Sequence, residues 1–414
     1  MEKINRLYKE AMDRIKNVHI ACFKDMEKPL FLISEQYPGL WMEHVYDSVI
    51  WAHMEPSYLY AAENAINLFI DRQKENGQLP FRVMDGNKVR SLDENVEPCY
   101  SQIQECVSFF TLALEVYKMN KDARFLEKIY IAGQKWDGWL RQNRMTMQKG
   151  LIEMFVGYDT GHDNSGRLDG LSCHGNYREN GKFCGAQVLP PNDPVAPILA
   201  VDMNCNFYAD EKALCEMAEL LGRPNEAKKW EESAKNVKKK LFELCYDEND
   251  AFFYDVDKYG NKRRYRSSTI FHLFLEKVLD KREDKALIER IYNEHIKNPD
   301  EFWTPYPFPS MAINDPSVPT HKKFNSWGYY TQGLIVLRCS RWMDHYGFGE
   351  DYDYVLKKWI KAWTKCFEVI PFAQEIDPVS GEPTQSSKWY SSCMLAYVYG
   401  ARRLGYVDDQ AVIL

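Results

Sequence analysis

The chain of 414 residues is 45% hydrophobic and 27% charged, which is ordinary for a globular protein and provides ample material for a buried core. Its 53 lysines and arginines are outnumbered by 60 aspartates and glutamates, and the net charge of −7 argues against nucleic acid as a partner, because phosphate binding needs excess positive charge. The 26 tyrosines and 11 tryptophans favour a large core or a surface on which planar or sugar ligands stack.

The N-terminal stretch MEKINRLYKEAMDRIKNVHI is charged from its second residue and has no apolar signal segment. No stretch approaches 18 uncharged apolar residues, so the sequence predicts a cytoplasmic protein without a membrane partner. The 11 cysteines form no CxxC pair and the 9 histidines show no HExxH-type spacing. We therefore expect reduced thiols, no metal site and no cofactor; the oligomeric state is left open.

Helical periodicity dominates the chain after a first helix at the N-terminus. Leu59, Ala62, Ile66 and Phe69 recur at three-to-four-residue intervals, and this pattern stops at Gly77. Similar patterns follow in QECVSFFTLALEVYKMN, DARFLEKIYIAGQKWDGWLRQNR, NFYADEKALCEMAELLG, NEAKKWEESAKNVKKKLFELC, DKALIERIYNEHI, YYTQGLIVLRCSRWMDHYG, DYDYVLKKWIKAWTKCF and WYSSCMLAYVYGARRL. Short turns such as YKMNKDARF and LLGRPNEAKKW join consecutive helices, and they predict antiparallel helical hairpins.

Long connections rich in aromatic residues, glycine and proline separate these hairpins, at residues 33–54, 78–100, 144–198, 300–328 and 369–388. Loops of this length in a compact domain are usually functional or disordered, and the aromatic content argues against disorder. The alternation of helices with such loops predicts an all-α fold, an (α/α)6 toroid in which residues 1–414 form one domain. The segment DENDAFFYDVDKYGNKRRY predicts a small hairpin around its YGNK turn.

Several of the long loops place carboxylates and amides beside aromatic rings, the combination that sugar-binding sites need. Hydrolysis of a glycosidic bond takes two carboxyl groups, one to protonate the leaving oxygen and one to activate water or attack directly. Asp163, in YDTGHDNSGR, and Glu375, in QEIDPVSGEP, are the candidates. From these residues alone, a turn or helix-capping role for Asp163 and a solvated loop position for Glu375 remain open.

The motifs VYDSVIWAH, YSQIQ, YDTGHDNSGR, NSWG and QEIDPVSGEP…WYSS resemble, in the same order, those of inverting glycosidases with an (α/α)6 barrel. That clan includes glycoside hydrolase family 63 and the trehalases of family 37. The similarity runs from about residue 40 to 400 and is greatest to compact family 63 enzymes that resemble mannosylglycerate hydrolases. The resemblance implies a glycoside hydrolase with a small oligosaccharide or glycoside as its substrate.

The resemblance also implies roles for individual residues. Asp163 falls on the general acid of the family, Glu375 on its general base, and Asp47 on the aspartate that binds the sugar in the −1 subsite. The other residues predicted to bind substrate are Trp41, Tyr46, Gln102, Asn164, Arg167, Trp327, Gly328, Glu382 and Trp389. Asp159 is predicted to help keep Asp163 protonated, and His162 is expected to be a surface loop residue.

Several positions depart from the family pattern. Tyr46 stands where the family usually has tryptophan, Gly166 where it has proline, and Ser326 where it has arginine. The chain also has SQIQ for SQPP and KWYSS in place of GFxWT. We expect these changes to affect the identity of the substrate more than the type of reaction.

The sequence therefore predicts an inverting, exo-acting α-glycosidase that hydrolyses a small α-glucoside or α-mannoside, either a disaccharide or a glycosyl-glycerate-like compound. A basic residue such as Arg82 or Lys322 would favour an anionic aglycone. The alternatives are a trehalase-like α-glucosidase, a sugar epimerase and a non-catalytic sugar-binding toroid. The epimerase would use paired histidines, and His174, His272 and His321 are isolated in sequence.

Overall fold

The computed structural model of the protein describes residues 1–24, 26–86, 97–173, 175, 178–179, 182–183, 185–322 and 327–409. Within these ranges, the α-helices are α1 (Glu2–Arg14), α2 (Val45–Met54), α3 (Leu59–Ile70), α4 (Phe109–Asn120), α5 (Ala123–Asn143), α6 (Val201–Leu220), α7 (Pro224–Leu244), α8 (His272–Leu275), α9 (Lys285–Ile291), α10 (Val318–His321), α11 (Gly333–Arg338), α12 (Gly349–Cys366) and α13 (Ser391–Arg403). None of them is both long enough and apolar enough to cross a membrane.

The strands are short and lie in small antiparallel sheets. They are β1 (Ile20–Ala21), β2 (Leu30–Phe31), β3 (Gly39–Trp41), β4 (Arg82–Met84), β5 (Glu153–Met154), β6 (Arg178–Glu179), β7 (Lys182–Phe183), β8 (Ile198–Leu199), β9 (Tyr246–Asp247), β10 (Phe252–Phe253), β11 (Asp255–Val256), β12 (Lys262–Arg263), β13 (Thr331–Gln332) and β14 (Glu375–Ile376). The largest sheet has four strands in the order β12-β11-β8-β5, and the other sheets have two strands each. The pairing of β11 with β12 is the hairpin predicted around the YGNK turn.

The helices alternate between an inner and an outer ring. α2, α6, α11 and α13 are buried on nearly all sides, as inner helices must be, whereas α1, α7 and α12 bury one face and expose the other. α11, α13, α2, α4, α6 and α8 pack against one another in that order, and α1 closes the outer ring beside α12 and α13. The predicted all-α toroid of six helical hairpins is therefore confirmed.

Local sequence explains how the hairpins turn. α4 ends at Asn120, and the next residue, Lys121, has a left-handed φ of 56°. Asp122 then caps α5 by accepting hydrogen bonds from the backbone N–H groups of Arg124 and Phe125. α6 ends before Gly222, with φ of 71°, and α7 begins at Pro224. These are the two turns that the sequence identified.

The N-terminal ends of the inner helices meet at one end of the toroid, where the long loops also lie. β3 leads into α2, β8 into α6 and β13 into α11, while the loop that contains β14 leads into α13. The main hydrophobic core extends through the rings from Leu7 in α1 to Ala401 in α13, and a small second cluster contains Met311, Val318 and Tyr329. The candidate site is built on this loop-bearing end.

Candidate active site

Asp163 lies at the apex of a tight turn in the loop between β5 and β8. Gly161 and Asn164, on either side of it, both have left-handed backbone, with φ of 71° and 61°. The backbone N–H of Trp327 donates to the Asp163 carbonyl over 2.9 Å, which fixes the turn against the segment that precedes β13. The Asp163 side chain is partly exposed, so it is accessible to a ligand.

The surroundings of Asp163 favour its protonated form. Desolvation and the nearby carboxylate of Glu43 raise the pKa of Asp163 to about 7. A carboxylic acid with a pKa in this range holds a proton at neutral pH that it can donate in a reaction. Asp163 is therefore suited to act as a general acid.

Glu375 is fully buried in β14, which pairs with β13 so that Gln332 lies opposite Glu375. The Gln332 side-chain amide donates to Glu375 Oε2 over 2.5 Å. The Glu375 carbonyl accepts the backbone N–H of Thr384 over 3.1 Å, which fixes the strand from the other side. An amide donor stabilises the ionised form of a carboxyl group, as a general base requires.

Tyr37 connects the two carboxyl-bearing loops. Its hydroxyl donates to Gln374 Oε1, one residue before Glu375, over 3.4 Å. Burial raises the pKa of Tyr37, and the negative charges of Asp163 and Glu43 raise it further, so this hydroxyl lies near both acids. Its ring packs edge-on against Trp41, with 5.4 Å between the ring centroids. The Asp163 loop, the Glu375 loop and Trp41 thus meet around Tyr37.

Asp47 lies in the first turn of α2 and is fully buried. Its Oδ2 accepts the hydroxyl groups of Ser391 and Ser392, at the start of α13, over 2.5 and 2.7 Å. Burial raises the pKa of Asp47 to about 6, while the two serines oppose that rise. Asp47 and Glu375 both raise the pKa of the Cys393 thiol, so both carboxyl groups lie near the start of α13.

Other predicted residues support the acid loop from several sides. The Trp327 ring stacks on His162, with a centroid separation of 4.3 Å and an interplanar angle of 17°. Gln102 braces the loop through its amide, which donates to the Tyr158 carbonyl over 3.4 Å and accepts from the Gly175 backbone over 3.2 Å. Asn164 is exposed beside Asp163, and Gly328 is buried next to Trp327.

His162 is not the surface residue that the sequence suggested. Only 2% of it is exposed, and its Nδ1 lies 3.7 Å from Asp202 Oδ2. Burial lowers its pKa well below the ordinary value for histidine. The neutral ring therefore serves as a packing partner of Trp327.

Arg167, which was predicted to bind the sugar, forms buried ion pairs in the structure. Its guanidinium lies 2.5 Å from Asp202 Oδ2 and 2.9 Å from Asp255 Oδ2, and only 1% of its side chain is exposed. Two buried carboxylates thus occupy its planar fork, so it anchors the acid loop to α6 and β11 rather than facing a substrate. Gly166, beside it, fits because a Cβ atom there would come within 2.3 Å of Ser317 Oγ.

Asp159 is not the neighbouring charge that the sequence suggested for Asp163. It is fully buried in an ion pair with Arg144, at 2.7 Å, and its carboxylate accepts backbone N–H groups from Ile103, Phe155 and Val156. These partners give Asp159 a structural role. The like charge that acts on Asp163 comes instead from Glu43, which the sequence analysis did not single out.

The side chains of three predicted substrate ligands contact groups other than Asp163 and Glu375. Tyr46 lines a separate cavity of about 610 Å³ between α4, α6 and α8. Glu382 has 68% of its side chain exposed and faces Lys365 at 3.9 Å. Trp389 packs on Phe367, Phe372 and the guanidinium of Arg14. A helix turns its residues in all directions, and motif spacing alone did not show that Tyr46 faces this cavity.

The structure also identifies three site residues that sequence reasoning missed, namely Tyr37, Glu43 and Arg338. Glu43 lies two residues after Trp41 in the segment LWMEHVYDSVIW, but the sequence analysis assigned sugar binding in this segment to Asp47. Arg338 lies far along the chain, in α11, and carried no local signal. His174, Lys323 and Ser326 lie outside the described residues, and no three described His, Cys, Asp or Glu side chains are grouped as metal ligands.

The fold is that of the (α/α)6 glycoside hydrolases. The mannosylglycerate hydrolase of Thermus thermophilus, solved with Tris, matches it with a TM-score of 0.71 at 16% identity, over 95% of this chain and 99% of that one. Neutral trehalase Nth1 from Saccharomyces cerevisiae matches with a TM-score of 0.64 at 14% identity, over 90% of this chain and 73% of the trehalase chain.

Sequence comparison then gives the family. The model of the mannosylglycerate hydrolase MGH1-like glycoside hydrolase domain matches residues 37–388, so the chain belongs to this family. An uncharacterized protein of Borreliella burgdorferi is 22% identical over 257 residues, which are 62% of this chain. The chain spans about half the length of that relative, since the match covers 46% of it.

Proposed function

We propose that the protein is an inverting, exo-acting α-glycosidase that hydrolyses a small α-glucoside or α-mannoside. Asp163 is the general acid and Glu375 the general base. The observation that carries this proposal is the contrast between the two carboxyl groups. The surroundings of Asp163 raise its pKa to about 7, whereas Glu375 accepts a hydrogen bond from the Gln332 amide.

The reaction follows from these two roles. Asp163 donates its proton to the glycosidic oxygen while the bond from that oxygen to the anomeric carbon breaks. Glu375 takes a proton from a water molecule, whose oxygen attacks the anomeric carbon from the opposite face. An α-linked substrate then yields the β-anomer, and proton exchange with solvent returns both carboxyl groups to their starting forms.

The substrate class that we propose is a glycoside with a small, anionic aglycone such as glycerate. The Thermus thermophilus relative has been solved with Tris and D-glycerate and with glucose. In this chain, Lys322 places a positive charge near the base loop, where its Nζ lies 3.4 Å from Asp377 Oδ2 and 4.0 Å from the centroid of the Tyr329 ring. Trehalose is the second candidate, because the fold also matches a trehalase.

Asp163→Asn and Glu375→Gln test the assignment. We expect hydrolysis of α-mannosyl-D-glycerate, α-glucosyl-D-glycerate or trehalose by the wild type, with a loss of kcat of at least about 100-fold in either variant, because each removes one half of the acid–base pair. Release of free sugar by the purified proteins measures this. Glu382→Gln is the matched control, since it neutralises an exposed glutamate in the same loop as Glu375. Wild-type turnover by either active-site variant would contradict the assignment.

Two further proposals concern the whole chain. We propose that residues 1–414 act as one catalytic domain, which is supported by the continuous hydrophobic core and by the extent of the family match. We also propose a cytoplasmic location, which is supported by the reduced thiols of the described cysteines, since such thiols are typical of a reducing compartment. Fluorescence microscopy of a C-terminally tagged protein in its native host tests the location.

A further inference from the structure

Glu43 lies between the acid loop and an inner helix. It is in the turn that joins β3 to α2, and only 5% of it is exposed. Its backbone N–H donates to Gln104 Oε1 over 3.2 Å, which fixes the turn against the segment that precedes α4. The backbone of Glu43 is thus held by the Gln104 side chain, and its carbonyl also accepts a hydrogen bond from Arg338 Nη2 over 3.4 Å.

The two oxygens of the Glu43 carboxylate face different partners. Oε1 lies 3.3 Å from Arg338 Nη2 in α11. Oε2 faces the acid loop, and it lies 3.2 Å from the point that a Cβ atom would occupy at Gly161, two residues before Asp163. Glycine at position 161 permits both this close approach and the left-handed backbone. One carboxylate therefore connects a buried arginine with the turn that carries Asp163.

The groups around Glu43 are mixed in charge. Arg338 is its cation, Asp47 in α2 and Asp163 in the acid loop are the nearby acids, and Tyr37 and Cys106 are neutral at the pH of interest because burial raises the pKa of each. His44 is also neutral, since burial lowers its pKa to about 3. Like-charged carboxyl groups this near one another resist simultaneous ionisation.

Arg338 acts on Glu43 and is not among the groups that shift the pKa of Asp163. Burial raises the pKa of Glu43 to about 7, and the charge of Arg338 opposes that rise. No cation among the described residues lowers the pKa of Asp163 in the same way. The arginine thus favours the ionised form of Glu43, the form that places a negative charge beside the acid loop.

We propose that Glu43, held by Arg338, is the positioning residue that keeps Asp163 in its proton-donating form. This inference rests on the proposed function, in which Asp163 is the general acid. Glu43 acts through the charge that it presents to the acid loop, and it takes no proton from substrate or water. A second carboxylate beside the acid extends the pH range over which the acid is protonated.

The test is a titration of Asp163 itself. Carbon-13 NMR of aspartate-labelled protein, with the Asp163 signal assigned by its loss in Asp163→Asn, follows the protonation of this carboxyl group without needing a substrate. In Glu43→Gln we expect the titration midpoint of Asp163 to fall by about one pH unit. The basic limb of the kcat/KM profile with α-mannosyl-D-glycerate should move by the same amount. Glu43→Asp, which keeps the charge, should retain most of the wild-type midpoint.

Arg338→Met gives a second route to the same answer. Without the arginine, Glu43 holds its own proton, so the Asp163 midpoint should fall, and the substitution should add little in a Glu43→Gln background. The matched control is Glu115→Gln, which removes a buried glutamate paired with Arg341 in the other cavity. We expect this control to leave the Asp163 midpoint unchanged.

An unchanged Asp163 midpoint in folded Glu43→Gln would overturn the inference, as would an equal shift in Glu115→Gln. Failure of the proposed function looks different. In that case Asp163→Asn keeps wild-type turnover, whatever the NMR titration shows. A rise in KM without any movement of the pH profile in Glu43→Gln would instead identify Glu43 as a substrate ligand, and it would also overturn the inference.

Discussion

Asp163 owes its chemistry to its neighbours. The run of glycine and asparagine around it forms a tight turn that an asparagine would also accept, and the hydrogen bond from Trp327 reaches the main chain rather than the carboxyl group. What distinguishes Asp163 from a turn residue is the combination of desolvation and the Glu43 charge, which raises its pKa to about 7. Both depend on residues that are far away in sequence.

Arg167 offers a test of how this loop is anchored. Arg167→Met leaves Asp202 and Asp255 without their buried cation, so we expect the free energy of unfolding to fall by about 3–5 kcal/mol. Urea denaturation measures this. Arg223→Met is the control, because it breaks a partly exposed pair with Glu127 and should cost much less. A cost for Arg167→Met as small as that of the control would contradict the anchoring role.

At the scale of residues, sequence reasoning found the motifs but not the direction of every side chain. Asp163, Glu375 and Trp41 all lie near Tyr37 in the structure. Arg167 and Tyr46 have the residue types of sugar ligands, yet one is enclosed by carboxylates and the other faces a separate cavity. The spacing of residues within a motif does not show which of their side chains will form buried ion pairs.

The helical hairpins are the elements that the sequence predicted most directly, because their turns carry specific residues. Asp122 is the clearest case, since its carboxylate caps α5. We expect Asp122→Ala to lower the free energy of unfolding by about 1 kcal/mol, measured by urea denaturation. Asp122→Asn keeps an accepting oxygen and should cost much less. Equal costs for the two variants would show that the cap contributes little.

The strand pair that holds Glu375 could not be predicted in this way. β13 and β14 contain two residues each, which is too short for an alternating pattern of apolar and polar residues. Their register places Gln332 opposite Glu375, although 42 residues separate the two in the chain. The packing of the loops at the loop-bearing end of the toroid sets the pairing of β13 with β14. No local pattern in the sequence predicts this pairing.

On the scale of the whole molecule, the toroid gathers residues from distant parts of the chain at one end. Asp47, Asp202 and Ser391 all lie in the first turn of an inner helix, and each contacts another element of the site. The positive ends of helix dipoles favour negatively charged side chains. This arrangement helps to explain how so many carboxyl groups are kept at the interior of the ring.

Buried carboxyl groups also give the whole molecule a pH-dependent stability. Burial raises the pKa of Glu276 in the folded protein to about 7 from an ordinary value of 4.5. Below about pH 4 this carboxyl group is protonated in both the folded and the unfolded protein. Because its pKa is higher in the folded protein, the stability that the bound proton provides is lost as the pH rises through about 7. We expect Glu276→Gln to gain stability relative to wild type by about 2 kcal/mol between pH 5 and pH 8.

Urea denaturation at the two pH values measures this gain. Glu115→Gln is the matched control, because the Arg341 guanidinium and His53 hold the pKa of Glu115 at about 2 despite its burial. That group is ionised in the folded protein at both pH values, so its replacement should change stability by the same amount at each. A gain for Glu276→Gln that does not depend on pH would contradict the raised pKa.

The central claim is that Asp163 and Glu375 act together as the acid and base of an inverting α-glycosidase. Proton NMR of the first sugar released from α-mannosyl-D-glycerate, α-glucosyl-D-glycerate or trehalose tests it most directly, because the anomeric signals distinguish the two stereochemical outcomes before mutarotation mixes them. We expect that the β-anomer appears first from the wild type and that neither Asp163→Asn nor Glu375→Gln releases it at a comparable rate. Initial release of the α-anomer would contradict the inverting mechanism.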